Sequence, residues 1–96
     1  MLDVWFEGVR VVLSKAAERE LFDLCLRVTQ AVDVLEHGFD CSRSKRKREV
    51  IEKCLRKGDK ILRVVGVYDY NRMMGCEVLV IIHVSIEGIK WSSKLK

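Results

Sequence analysis

The chain has 96 residues, 49% hydrophobic and 33% charged, with a net charge of +4, four cysteines and no proline. That length supports one core burying roughly two-thirds of the unfolded surface and excludes a second, so residues 1–96 read as a single domain. The apolar content excludes a disordered chain, and the longest strongly apolar run, Val78 to Ile82, is far short of the about 20 residues a membrane-spanning helix takes.

The opening MLDVWFEGVR mixes acidic and aromatic residues and lacks the basic, apolar and small-residue order of a secretory leader. A cytoplasmic protein is expected, and its cysteines are expected as reduced thiols because the core needs no staples. Val9 to Leu13 is short and β-branched, which suits a strand, and Ser14 stands where a helix N-cap belongs. Ala17, Leu21, Leu24, Cys25 and Val28 then recur at spacings of three and four, giving one helix with an apolar face. Thr29 is a candidate cap for a second helix that buries Val32 and Leu35 and stops at Gly38.

Asp40 to Lys60 carries nine of the eighteen lysines and arginines. Val50, Ile51, Cys54 and Leu55 follow helical spacing, yet Lys57, Gly58 and Asp59 make a tight turn before the next strand, and the balance falls narrowly on a strand. Ile61 to Tyr70 and Val78 to Ile86 are strands, joined as a hairpin by Asn71 to Gly75. In the second of them Val78, Val80, Ile82, Val84 and Ile86 form one apolar face and Leu79, Ile81, His83 and Ser85 the other. The expected fold is α+β, two N-terminal helices packed on an antiparallel sheet of three to four strands.

Net charge divides along the chain as −4 over residues 1–42, +7 over 43–63 and +1 over 64–96. Lys and Arg at such density neutralise phosphates and release counterions, so Arg43, Lys45, Arg46, Lys47, Arg48, Lys53, Arg56 and Lys57 are the candidate nucleic-acid contacts. The ordinary alternative for such a run is a solvated face partly paired with Glu49 and Glu52.

The order strand, two helices, antiparallel meander, with Ser14-Lys15-Ala16-Ala17 opening the first helix and RKREVIEKCLRKGDKILRVVGVYDY followed by EVLVIIHVS, resembles the RelE and ParE toxin superfamily. It resembles more nearly still that superfamily's small archaeal and bacterial relatives of unknown activity, and the resemblance spans roughly residues 9 to 86. It implies a toxin-like nucleic-acid-binding protein of a toxin-antitoxin pair, with an acidic antitoxin as partner and metal-independent endoribonuclease activity. RelE-type enzymes use arginines, lysines and a tyrosine or histidine on RNA, while other members of the fold poison gyrase instead. Where relatives carry His-Ala-x-x-Arg, this chain has Ala16, Ala17 and Glu20.

For cleavage the candidates are Lys60, Arg63 and His83, the imidazole serving as acid or base near neutral pH. A histidine held by a hydrogen bond at the sheet is the commoner fate. Strand alternation gives His83 only Arg63 as a companion, since Tyr68 and Tyr70 share a face with Val64. No metal or other cofactor is expected, because His37, Cys41, Cys54 and Cys76 lack metal-ligand spacing. Trp91 among Lys90, Lys94 and Lys96 reads as a terminal anchor before a base-stacking residue. A different class of function is a non-catalytic module whose basic strand binds an acidic protein or a second copy of the chain through an exposed edge, as a homodimer.

Overall fold

A computed structural model of the chain describes residues 4–40 and 49–88. The elements are β1 (Trp5–Phe6), β2 (Val9–Leu13), α1 (Lys15–Asp23), α2 (Val28–His37), β3 (Phe39–Asp40), β4 (Val50–Lys57), β5 (Lys60–Asn71) and β6 (Cys76–Gly88). Strands take 54% of the described residues and helices 25%, so the sheet rather than the helix pair organises the molecule.

The sheet corrects the expected fold. It is mixed and curled, with six strands in the order β1-β2-β6-β5-β4-β3, in place of an antiparallel sheet of three or four. The reason is a long-range pairing: β2 lies parallel to β6, Arg10 opposite Val78 and Leu13 opposite Ile81, while β4, β5 and β6 form the antiparallel meander. Two short strands extend it at either side. β1 turns back onto β2 through Glu7 and Gly8, both at positive φ, as a two-residue hairpin turn of primed type requires. β3 lies on β4 with Phe39 opposite Cys54.

Ser14 caps α1 as its position suggests: its side chain accepts the Ala17 N–H at 3.1 Å, a contact typically contributing about 1 kcal/mol. The helix is shorter than its apolar spacing predicts. It ends at Asp23, and Cys25 adopts the left-handed conformation at φ 58° instead of continuing it, leaving its thiol exposed and free. The second helix is capped by Arg27 rather than Thr29, with the Arg27 N–H donating to Gln30 Oε1 at 2.8 Å. Gly38 does terminate it.

Both helices cover one face of the sheet, α1 over β6 and α2 over β4 and β5. Ala17, Leu21, Val34 and Leu35 pack there against Leu62, Val64, Leu79, Ile81 and Val84. That last set mixes odd and even positions of β6 because a bulge interrupts the ladder: Val65 faces His83 but Gly66 faces Ile81, so Ile82 is the extra residue. The single even-numbered apolar face expected of β6 is therefore split. Val84 and Ile86 lie toward the helices together with Leu79 and Ile81, whereas Val78 and Val80 lie on the other face.

One described cysteine also departs from the expected reduced state. Cys54, largely buried on β4, is disulfide-bonded, while Cys25 and Cys76 are free. Tyr68 supplies a pH signature: burial first, and then the carboxylates of Glu7 and Glu77, raise its phenol pKa above the ordinary value. A raised folded-state pKa contributes stability that is complete below pH about 10 and lost as pH climbs through the folded value. Tyr68→Phe is thus expected to flatten the alkaline fall in stability, read as denaturation midpoints between neutral and strongly alkaline pH; an unaltered slope would show that Tyr68 does not govern it.

Candidate nucleic-acid interface and the His83 site

Of the eight proposed nucleic-acid contacts, Arg43, Lys45, Arg46, Lys47 and Arg48 lie outside the described residues. Lys53, Arg56 and Lys57 are on β4, where alternation separates them. Lys53 and Lys57 pair with Val64 and Lys60 and so share the helix-bearing side, while Arg56 pairs with Ile61 on the opposite side. Lys53 is already engaged, its Nζ 2.7 Å from Asp40 Oδ1. The Arg56 Nε donates to the Gly58 carbonyl at 3.1 Å. Arg56 therefore shares no face of the sheet with Lys53 and Lys57.

The charge of the described body points the same way. Residues 4–40 and 49–88 contain ten Lys and Arg against thirteen Asp and Glu, a net charge of −3. The rest of the chain, residues 1–3, 41–48 and 89–96, contains eight Lys and Arg against one Asp, a net of +7. Basicity belongs to the segment that enters β4 and to the one that follows β6, and the body between them is acidic.

The three proposed cleavage residues are not assembled. Register sets Arg63 opposite Ser85 and Val65 opposite His83, so Arg63 and His83 share a face as diagonal neighbours. Lys60 pairs with Gly88 and lies on the other face, five residues along β5 from the partner of His83, or about 16 Å at the usual strand rise. Arg63 is turned to acids: its Nε lies 2.5 Å from Glu52 Oε2 and its Nη1 3.9 Å from Glu87 Oε2. Glu52 is buried on the face away from the helices, an expensive place for a carboxylate without a cation beside it.

His83 has a partner that sequence reasoning missed. Glu20 of α1 reaches the edge of β6, where Oε2 lies 3.1 Å from His83 Nδ1 and Oε1 accepts the Val84 N–H at 2.8 Å. A strand N–H left open past the end of β2 is thereby satisfied by a helix carboxylate. A carboxylate holding one imidazole nitrogen is an arrangement used in acid–base catalysis, but around His83 it comes with Glu52 and Glu87 at the Arg63 end of the same face, an environment that repels phosphate.

Among the described residues one group has metal-ligating atoms close together: Asp33, Glu36 and His37 on α2, within 4.8 Å of one another. His37 Nδ1 lies 3.1 Å from Asp33 Oδ1, and the group faces solvent. Cys54 and Cys76, the sequence-level sulfur candidates, pair with Arg63 and Asn71 respectively, at different parts of the sheet. No described helix is long and apolar enough to cross a membrane. The chain matches no family model, no curated protein and no solved structure.

Proposed function

We propose that this domain binds nucleic-acid backbones through Arg43, Lys45, Arg46, Lys47 and Arg48, with the acidic body acting as scaffold and without a cleavage centre at His83. The observation that carries this reading is the division of charge, −3 on the described body and +7 elsewhere. Such an arrangement recognises phosphate rather than sequence, and its affinity is governed by counterion release. Lys53 is left out of the interface because it serves Asp40, and no cleavage centre is proposed because Arg63 serves Glu52 and Lys60 stands apart from His83.

Fluorescence anisotropy with a single-stranded RNA tests it. Engaging about four phosphates predicts a loss of affinity on the order of 50-fold between 50 and 200 mM salt, and Arg46→Ala combined with Lys47→Ala and Arg48→Ala should remove most of the binding and of the salt slope. Binding that is weak and flat with salt, or untouched by the triple substitution, would refute the proposal and leave an acidic protein as the ligand of the same cations.

A further inference from the structure

We infer that the edge of β6 from Val84 to Gly88 is a self-association surface, on which a second copy of this chain adds its own β6 antiparallel about a two-fold axis at Ile86. The sheet's outermost strands, β1 and β3, are two residues long and offer little edge. β6 is different. It runs for thirteen residues, but β2 accompanies it only from Val78 to Ile81, and the Ser14 N–H donating to the Ile81 carbonyl at 3.0 Å closes that pairing. Beyond the bulge no described strand lies on that side of β6.

The direction of the backbone groups follows from one hydrogen bond. The Val84 N–H points away from β5, because it donates to Glu20 Oε1. Since direction alternates along a strand, the N–H and C=O groups of Ile86 and Gly88 and the C=O of Val84 face the same open side. Exposed edges of this kind are templates for another strand.

Self-pairing fits this edge in one register. With Ile86 opposite Ile86 of the second copy, the two exchange both main-chain bonds, and each Gly88 N–H reaches the Val84 carbonyl across the axis. In that register the Gly88 carbonyl of the second copy takes the Val84 N–H in place of Glu20 Oε1, and glycine there leaves room for the displaced carboxylate, whose Oε2 stays beside His83 Nδ1. On the face away from the helices Ser85 stands opposite Glu87, a hydroxyl to a carboxylate, so no like charges oppose each other. On the helix side Val84 and Ile86 extend the apolar surface across the junction. An isologous contact of this kind closes at two copies and does not propagate. The new ladder is short, so the dimer is weak and concentration-dependent.

The test uses the full chain with Cys25→Ser and Cys76→Ser, which removes the free exposed thiols among the described residues. Sedimentation across a broad concentration range should show conversion from monomer to dimer, and Ile86→Pro should abolish it while leaving the fold intact, because the lost N–H faces outward at an edge. Mixing differently tagged Ser85→Cys and Glu87→Cys proteins under mild oxidation should give the heterodimeric disulfide, the two Cα atoms of this pair lying about 4.5 Å apart, within bridging reach. A chain monomeric throughout, or a Ser85→Cys and Glu87→Cys mixture that links no faster than a Phe22→Cys control on exposed α1, would overturn the inference. If Ile86→Pro does not fold, the cysteine pair decides alone. RNA binding is read separately on Ile86→Pro, so failure of the dimer and failure of the nucleic-acid reading are distinguishable.

Discussion

Gly38→Ala is expected to lower unfolding free energy by about 3 kcal/mol, moving the melting temperature by about 15 °C for a chain of this length. The cause is space, not backbone freedom, since Gly38 has an ordinary extended conformation. A Cβ there would press directly on two main-chain atoms, the carbonyl oxygens of Val34 in α2 and Cys54 in β4. Neither can swing aside as a side chain could. The Gly38 N–H donates to that same Val34 oxygen at 2.8 Å, and Cys54 is locked in the ladders of β3 and β5. The substitution therefore pushes α2 away from the sheet. A midpoint within a degree or two of wild type in thermal or urea unfolding would show that the helix and strand separate more easily than this packing implies.

The second large effect is expected at Arg63→Ala, a loss of about 3 kcal/mol. Most of it comes from leaving the buried Glu52 carboxylate without its guanidinium, since Glu52 is 6% exposed and the arginine stem also covers the sheet. The informative control is Glu52→Met together with Arg63→Met. It removes both charges and fills the volume, and should restore most of the stability. Equal losses in the single and double variants would mean that packing by Arg63, and not its charge, is what the sheet needs. The same experiment bears on function, because RNA binding should survive in the double variant if Arg63 serves structure.

How far these features could be read from the sequence depends on the range of the interaction that makes them. Ser14, the β-branched run Val9 to Leu13, Gly38 and the hairpin around Asn71 to Gly75 act within a few residues, and each forms the element its pattern predicts. For β4 spacing alone favours a helix, the turn at Lys57, Gly58 and Asp59 tips the reading narrowly to a strand, and pairing with β5 along its length makes it one. The parallel match of β2 to β6 has no local signature, so the sheet's true width and mixed sense were out of reach. The bulge at Ile82 was hidden by composition: Leu79 to Ile82 is apolar at every position, and a one-residue slip changes nothing that alternation can detect. Glu20 and His83 are 63 residues apart, and only the packing of α1 on β6 brings them together. Linear density says nothing about which side of β4 each cation takes, so the separation of Arg56 from Lys53 and Lys57 has no signature in the sequence. β1 did leave a trace, the Glu7-Gly8 pair between two short β-prone stretches.

The pairing of β2 with β6 also orders events during synthesis. Arg10 to Leu13 leave the ribosome 68 residues ahead of the strand they lie on, Val78 to Ile81. Until then the apolar sides of α1 and α2 have no finished sheet to cover, and the nascent chain must keep Leu21, Val34 and Leu35 out of wrong contacts. Closure across so much intervening chain favours slow, late folding, so chaperone attention should fall on this interval of translation.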